Sequence, residues 1–223
     1  MGIHSSFPRK PESSYIRRVP MRIKSVEFAG AIGQIGQSAP GSVEGLRQVA
    51  FAGRSNVGKS SLINRLLGRT RTPIARVSQS PGKTQEVNFY QVRSDVGDFC
   101  LVDLPGYGYA RAPMAVKSKW RPLITGYMRE NPALAGVVQL VDMRHGPTAD
   151  DLAAIDYLAE LGIPVLFALT KLDKLNASQR TKMLREIPEA LELEPDQVIP
   201  LSAQSGAGID ELLDTLQALL FEA

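Results

Sequence analysis

The sequence predicts an α/β protein with one mostly parallel sheet that is covered by helices on both faces. Short apolar runs alternate with amphipathic segments through the second half of the chain, an order that favours parallel strands. A glycine-rich loop joins an earlier apolar run to a helix. Residues 86–92 and 99–104 read as two strands joined by a turn at residues 93–98, so this one hairpin makes the sheet mixed.

The elements follow from local patterns in chain order. Residues 25–29 could form a short edge strand, and residues 30–45 predict a loop because they are rich in glycine and lack periodicity. Residues 49–52 predict a buried strand, and the apolar spacing of residues 61–67 indicates a helix. A polar connection, residues 69–85, leads to the hairpin. Beyond it we expect strands at residues 136–141, 164–169 and 198–201, and helices at residues 148–161, 178–187 and 209–221.

The composition is that of an ordinary globular protein. The chain has 223 residues, of which 43% are hydrophobic and 22% charged, enough for a single domain with a full core. No apolar run reaches membrane-spanning length, and the first residues lack the apolar core of a signal peptide. Cys100 is the single cysteine, so no internal disulfide can form and a reducing cytoplasm is expected.

Positive charge is concentrated in residues 1–24, which predict a basic, flexible tail before a single domain at residues 25–223. The tail holds six basic residues and one acidic residue, so its net charge is +5, whereas the whole chain carries +3 and the remainder −2. Such a tail can contact phosphate backbones through non-specific attraction. A solvated leader is the alternative interpretation.

One segment fits the pattern G-x-x-x-x-G-K-[ST] of a phosphate-binding loop: Gly53, Arg54, Ser55, Asn56, Val57, Gly58, Lys59 and Ser60. The loop lies between a predicted strand and a predicted helix, and Ser61 continues that helix. In such a loop, backbone N–H groups and the positive helix end face the phosphates. Lys59 would reach the outer phosphates, and Ser60 would place its hydroxyl on a magnesium ion. The chain is therefore predicted to be a P-loop NTPase, the alternative being a glycine turn before a helix.

A second segment, Asp103-Leu104-Pro105-Gly106, follows a predicted strand. Asp103 can hold the magnesium shell through water, and Gly106 can offer its N–H to a γ-phosphate. A lone D-x-x-G pattern is weakly specific because aspartate and glycine are common at strand ends. Downstream of a phosphate loop the same pattern indicates a nucleoside triphosphate site.

Further residues at strand ends select the base. Asp173 can accept hydrogen bonds from the N1–H and exocyclic amine of guanine, a donor pair that adenine lacks. In the same segment, which begins at Thr170, the stem of Lys171 can lie along the base. Ser202 and Ala203, after the last strand, can present a backbone N–H to guanine O6. The order of these segments predicts a GTP site.

Together these segments resemble the Ras-like GTPase superfamily, and more closely the EngB/YsxC/YihA group of ribosome-biogenesis GTPases within the TrmE-Era-EngA-YihA-Septin class. The resemblance covers about residues 25–221, and the motifs that carry it are residues 53–64, 81–85, 103–110 and 170–174. It implies a Ras-like G domain that binds GTP or GDP with Mg²⁺ and hydrolyses GTP slowly.

The resemblance also implies roles for single residues. Thr84 is the mobile-loop threonine that closes onto magnesium and the γ-phosphate, and Gly82 lies in the same loop. The catalytic set is then Lys59, Thr84 and Gly106, and the magnesium set is Ser60, Thr84 and Asp103.

Two positions bear on the chemistry. Ras-like enzymes often place a glutamine directly after D-x-x-G to orient the attacking water, but Tyr107 stands there. The water must then be positioned by another group, or the intrinsic rate must be low. Asn56 matches a position that can bind K⁺ in related GTPases, where the cation would neutralise transition-state charge. The alternative is that Asn56 only caps the loop.

The resemblance implies a nucleotide-controlled switch that acts on the large ribosomal subunit or its assembly intermediates, with a link to cell division and septation. The tail, together with Lys117, Lys119, Trp120 and Arg121, could contact ribosomal RNA. The alternative is a solvated helix face with the tryptophan packed inward. No membrane partner is expected, and nothing in the sequence demands more than a monomer.

Alternatives to this function remain open at this stage. The chain could be a GTPase serving another RNA or a membrane target, or a nucleotide-binding scaffold with negligible turnover. A bacterial cytoplasm is expected, and a mitochondrion or plastid is the alternative because the tail is basic, contains serine and is poor in acidic residues.

Overall fold

The computed structural model describes residues 20–34, 36–75, 86–108, 114–129, 131–194 and 197–222, with the backbone alone for residues 114–121. These residues form a mixed sheet with helices on both faces, as predicted. The strands are β1 (Ile23–Ile32), β2 (Gln48–Gly53), β3 (Val87–Ser94), β4 (Asp98–Asp103), β5 (Leu134–Asp142), β6 (Val165–Thr170) and β7 (Val198–Pro200). The helices are α1 (Lys59–Leu66), α2 (Met114–Arg129), α3 (Ala149–Glu160), α4 (Ala177–Ala190) and α5 (Ile209–Phe221).

The seven strands lie in the order β1-β3-β4-β2-β5-β6-β7. β1 pairs with β3, and β3 with β4, in antiparallel orientation, whereas every pair from β4 to β7 is parallel. The parallel strands therefore end at one edge of the sheet, and the loops that follow β2, β4, β5, β6 and β7 meet there. In open sheets of this kind, ligands bind at the carboxyl ends of the strands.

Apolar side chains of the central strands alternate between the two faces of the sheet. In β2, Val49 and Phe51 lie in one core cluster with residues of α1 and α5. Ala50 and Ala52 lie in the other cluster, with residues of α2, α3 and α4. Both faces of β2 are buried, as expected for a parallel strand that is covered on both sides.

The first strand is longer than predicted. β1 runs over Ile23–Ile32, so residues 30–32 belong to a strand and not to the expected loop. Its pairing with β3 contains an irregularity between Phe28 and Gly30, where Gly30 has φ +145°. This bulge interrupts the alternation of side chains, which explains why the sequence pattern ends too early.

α2 is not among the helices predicted from the sequence, where a helix face at residues 117–121 is only the alternative to an RNA contact. It spans 16 residues and contains Pro122, and a proline in the helix interior removes a hydrogen bond and argues against a helix in a sequence pattern. Leu123, Ile124, Tyr127 and Met128 are buried against the sheet. Tertiary packing of this half of the helix outweighs the local cost of the proline.

The proposed tail lies mostly outside the described residues, which begin at residue 20. Met21 is already buried in the core, and the Arg22 N–H donates to Asp95 Oδ1 at 2.8 Å. The division into a tail at residues 1–24 and a domain at residues 25–223 stays a prediction. Within the described part of the chain, no helix has the length and apolarity needed to cross a lipid bilayer.

Candidate nucleotide-binding site

The predicted phosphate loop connects the end of β2 to the start of α1. Gly58 precedes the helix with φ +106°, a left-handed conformation that favours glycine. Because Gly58 has no side chain to cap the helix, the first N–H groups of α1 can serve an anion. A Cβ on Gly53 would lie 2.9 Å from Val57 and 3.0 Å from Leu140, so the start of the loop also requires glycine.

The two charged residues assigned to the phosphates and the metal lie against each other. The Lys59 ammonium forms an ion pair with Asp103 Oδ1, and the two side chains are only 11% and 5% exposed. Gly106, three residues after Asp103, lies against the loop, since a Cβ there would be 3.3 Å from the Ser55 nitrogen. The sheet thus brings the two motifs together, although they are 44 residues apart in sequence.

The residues assigned to the base also meet. The Ser202 hydroxyl donates to Asp173 Oδ1 at 2.7 Å, and Lys174 pairs with Asp173 Oδ2 at 3.2 Å. These contacts, the Ser202 hydrogen bond first, lower the pKa of Asp173 below its ordinary value. A carboxylate held ionised is the acceptor that a pair of N–H donors requires. Ala203 is half-buried beside it.

The loops of the base and of the phosphates are tied to each other. The Thr170 hydroxyl donates to the Val57 carbonyl at 2.8 Å, and Lys171 Nζ donates to the Asn56 carbonyl at 2.7 Å. Asn56 and Lys171 each have φ +64°, the left-handed conformation that is uncommon outside glycine. Thr170 is buried, so its hydrogen bond to the Val57 carbonyl is shielded from water and holds the phosphate loop in place.

Asp142 and Arg144, two residues of this edge, were not assigned from the sequence. Asp142, at the end of β5, accepts hydrogen bonds from Lys171 Nζ at 2.8 Å and from Arg144 Nη2 at 2.8 Å. Burial opposes its ionisation, but these hydrogen bonds outweigh burial and lower the pKa of Asp142 to about 2. The signal was available, because Asp142 directly follows the buried run of residues 136–141 and parallel strands end at the same edge.

Tyr107 lies beneath this edge, and its side chain is not open to solvent. Its hydroxyl donates to Asp151 Oδ1 at 2.8 Å and accepts a hydrogen bond from Gln139 Nε2. The residue is only 8% exposed. Its backbone carbonyl accepts a 2.9 Å hydrogen bond from the Ser55 N–H of the phosphate loop.

The oxygen atoms of the candidate magnesium site suit a hard cation. Mg²⁺ is usually held by one or two carboxylates together with substrate phosphates and water. Asp103 supplies a buried carboxylate, and Ser60 supplies the hydroxyl of a half-buried residue. One carboxylate and one hydroxyl fit an ion that is shared with a phosphate. In the described part of the chain, no three His, Cys, Asp or Glu residues are grouped to hold a metal by themselves.

Several assigned residues cannot be placed. Gly82 and Thr84 lie outside the described residues, as does the tail up to residue 19. Lys117, Lys119, Trp120 and Arg121 fall within α2, but their side chains are outside the described set. Their proposed roles stay predictions.

The geometry supports a defined chemistry. Uncapped N–H groups and a lysine can bind phosphates, a buried carboxylate and a hydroxyl can share a divalent ion with them, and an ionised aspartate 70 residues beyond Asp103 can select a base with two adjacent donors. All of these groups come from loops at one edge of the sheet.

Comparisons with known proteins agree with this site. A family model described as "50S ribosome-binding GTPase" matches residues 48–171, and one described as "Elongation factor Tu GTP binding domain" matches residues 126–222. A probable GTP-binding protein EngB of Gemmatimonas aurantiaca is 48% identical over 200 residues, which cover 90% of this chain and 95% of the relative. The EngB of Lactobacillus delbrueckii is 41% identical over 204 residues, covering 91% of this chain and all of the relative.

Solved structures show the same relationship. The crystal structure of a probable GTP-binding protein engB matches with a TM-score of 0.62 and 27% identity, covering 79% of this chain and 100% of that chain. Aquifex aeolicus Era bound to GDP·AlF₄⁻ matches with a TM-score of 0.63 and 25% identity, covering 79% of this chain and 57% of Era. With this fold, these motifs and relatives that are 41% and 48% identical over almost their whole length, the chain belongs to the EngB family of GTP-binding proteins.

Proposed function

We propose that this chain is a slow, Mg²⁺-dependent GTPase whose GTP-bound form acts as a switch in the assembly of the large ribosomal subunit, with an effect on cell division and septation. The observation that carries the nucleotide part is the meeting of the Lys59–Asp103 pair and the Asp173–Ser202 pair at one edge of the sheet. The ribosomal part is supported by the description of the matching family as ribosome-binding GTPases.

Each side chain has a stated task in this proposal. Lys59 and the N–H groups of residues 58–61 bind the phosphates within the loop of residues 53–61, and Asp173 binds the N1–H and exocyclic amine of guanine. Lys171 lies along the base, and the N–H groups of Ser202 or Ala203 reach its O6 atom. Thr84 and Gly82 close over the γ-phosphate from the loop that lies outside the described residues.

The Lys59–Asp103 pair makes the phosphate site and the metal site one unit. When bound, Mg²⁺ held by Ser60, Thr84 and Asp103 would neutralise the phosphate oxygens. Lys59 then exchanges its carboxylate partner for phosphate oxygens. Because each charge of the pair gains a new partner of opposite sign, neither is left unpaired in a buried place.

A monovalent cation belongs to the proposal as well. Asn56 is exposed at the tip of the phosphate loop, and its carbonyl is already engaged by Lys171. Its side-chain amide oxygen is therefore the group that would bind K⁺ near the phosphates. The cation would neutralise charge that develops during hydrolysis.

The partner is tested by co-sedimentation of the full-length protein with purified ribosomal subunits. A non-hydrolysable GTP analogue, GDP and no nucleotide are compared. We expect binding to the large subunit with the GTP analogue only, and a single protein copy per subunit. Binding that does not depend on the nucleotide, or no binding, would contradict the ribosomal role and favour another RNA or a membrane target.

The site of action in the cell follows from the same proposal. The relatives are bacterial, and a ribosomal partner places the protein in the bacterial cytoplasm. Ribosomal RNA would be contacted by the basic residues of the tail and by Lys117, Lys119 and Arg121. Neutralising these three residues together should weaken the co-sedimentation. It should also make the remaining binding less sensitive to salt, because fewer phosphates are then contacted.

A nucleotide-binding scaffold without turnover is the second candidate, and Tyr107 is the observation that favours it. The position after Gly106 holds no group that could orient water, since the Tyr107 hydroxyl is engaged by Asp151 and Gln139. Single-turnover kinetics with and without ribosomal particles separate the two. A measurable rate in either condition supports the switch, and no hydrolysis in both supports the scaffold.

A further inference from the structure

The Tyr107 side chain is anchored to two elements behind the phosphate loop, the helix α3 and the strand β5. Its hydroxyl donates to Asp151 Oδ1 at 2.8 Å on α3 and accepts from Gln139 Nε2 on β5. Gln139 is fully buried, and its amide also donates to the Leu140 carbonyl at 3.1 Å. The hydroxyl therefore lies in a polar network inside the core, where each missing partner is costly.

Asp151 uses its two oxygens for two different purposes. Oδ2 accepts from the Thr148 N–H at 2.9 Å and from the Thr148 hydroxyl at 2.7 Å, which completes the capping box of α3. Oδ1 is the oxygen that holds Tyr107. The start of α3 and the residue after Gly106 are thus fixed by one carboxylate.

The backbone around Tyr107 is held from the other side by the phosphate loop. The Ser55 N–H donates to the Tyr107 carbonyl at 2.9 Å, and Arg54 and Tyr107 form a parallel β-bridge. A Cβ on Gly106 would be 3.3 Å from the Ser55 nitrogen and 3.4 Å from the Ser55 Cα atom. Gly106 therefore packs against the phosphate loop on one side, and the residue that follows it, Tyr107, is anchored in the core.

The hydroxyl keeps its proton in this environment. Burial, and then the charge of Asp151, raise the pKa of Tyr107 well above its ordinary value of 10. Tyr107 thus remains a hydrogen-bond donor to Asp151 throughout the neutral range, and the anchor does not depend on pH there.

We propose that Tyr107 is a positioning residue for GTP hydrolysis: its hydroxyl, held by Asp151 and Gln139, fixes the Gly106 N–H beside the phosphate loop. This rests on the proposed function, in which Gly106 binds the γ-phosphate. The residue that replaces the water-orienting glutamine then contributes through the core and not through the water. Rigid support of this kind matters because small displacements of a catalytic group slow a reaction strongly.

The test compares full-length Tyr107→Phe, Tyr107→Gln and Gln139→Leu with the wild type. Single-turnover GTP hydrolysis, GDP affinity and the midpoint of thermal unfolding are measured for each. We expect Tyr107→Phe to slow hydrolysis about tenfold with GDP affinity within about twofold, because GDP has no γ-phosphate for Gly106 to contact. Tyr107→Gln should not exceed the wild-type rate, since residue 107 faces the core.

Gln139→Leu guards against a misfolded Tyr107 variant, because it removes the donor to Tyr107 and replaces it with an apolar side chain of similar size in the sheet. It should slow hydrolysis by about threefold or more. Thr148→Ala is the matched control: it breaks the cap of α3 and leaves the Tyr107–Asp151 hydrogen bond, so it should lower the unfolding midpoint and leave the rate unchanged.

Wild-type rates in folded Tyr107→Phe or Gln139→Leu, or a faster Tyr107→Gln, would overturn the positioning role. A rate in Thr148→Ala as low as that in Tyr107→Phe would also overturn it, because the slower hydrolysis would then result from the loss of α3 stability. If the wild type itself does not hydrolyse GTP, the proposed function fails, and the two failures are thereby distinguished.

Discussion

Lys171 donates a 2.8 Å hydrogen bond to Asp142, and this pair joins the loop of the base to the neighbouring strand end. The same ammonium donates to the Asn56 carbonyl at 2.7 Å, so three loops are held by one group. Arg144 binds the same carboxylate through Nε at 3.0 Å and Nη2 at 2.8 Å. The position of the Lys171 ammonium is therefore set by Asp142 and the Asn56 carbonyl.

The first prediction concerns nucleotide release. Asp142→Ala frees Lys171 to leave the base, so we expect GDP to dissociate about tenfold faster, since a hydrogen bond to a charged group contributes about 1.5 kcal/mol. Stopped-flow displacement of a fluorescent GDP measures the rate. Arg144→Ala is the control, because it keeps the Lys171–Asp142 pair. An unchanged rate in Asp142→Ala would refute the role.

The second prediction concerns stability in acid. The pKa of Asp142 falls from 3.8 to about 2 on folding, so the unfolded chain takes up the proton first as the pH falls. The stabilisation is complete above about pH 4 and is lost between pH 4 and pH 2. Urea unfolding across this window should show a steeper loss for the wild type than for Asp142→Asn. Parallel curves would show that Asp142 does not contribute.

The third prediction concerns the phosphates. Lys59→Ala removes the ammonium that binds them and leaves the Asp103 carboxylate unpaired in a buried place. We expect GTP affinity to fall by about a hundredfold or more, because the phosphates lose their ammonium partner and losing one partner of a buried charge pair costs about 3 kcal/mol. Calorimetric titration measures it. Lys182→Ala, at a side chain that is 63% exposed, should bind GTP like the wild type.

The fourth prediction concerns the base. Asp173→Asn loses one acceptor for guanine and gains a donor, which suits the 2-oxo group of xanthine. We expect GTP affinity to fall by about a hundredfold and binding of XTP to improve. Asp98→Asn, on the exposed hairpin, is the control. A variant that still prefers GTP would exclude Asp173 from the base site.

The fifth prediction concerns the monovalent cation. Turnover of GTP should be faster in potassium buffer than in sodium buffer of the same ionic strength, and Asn56→Ala should remove the difference. Equal rates in the two buffers for the wild type would contradict a K⁺ site at Asn56.

The sequence predicts most of the fold because its strands and helices carry strong local patterns. The bounds of α5, Ile209–Phe221, agree with the apolar spacing of that segment. The full length of β1 and the helix α2 are not predicted, for physical reasons: a bulge at Gly30 breaks the strand alternation, and Pro122 argues locally against a helix that tertiary packing stabilises. Such overrides cannot be seen in a local pattern.

The site divides in a similar way. Motif residues such as Lys59, Asp103 and Asp173 are predictable because glycine, lysine and aspartate occur at fixed spacings after strands. Asp142 could have been found as a residue at a strand end, but its pairing with Lys171, 29 residues away, and the pairing of Asp151 with Tyr107, 44 residues away, could not, because only the folded sheet brings them together. The inward direction of Tyr107 also depends on that tertiary contact.

One measurement tests the central claim most directly: single-turnover hydrolysis of GTP and of ATP by the full-length protein with Mg²⁺, beside Lys59→Ala. We predict that GTP is cleaved slowly to GDP and phosphate, that ATP is not, and that Lys59→Ala cleaves neither. Cleavage of ATP at the same rate, or GTP cleavage that survives in Lys59→Ala, would contradict a guanine-selective GTPase site at this edge of the sheet.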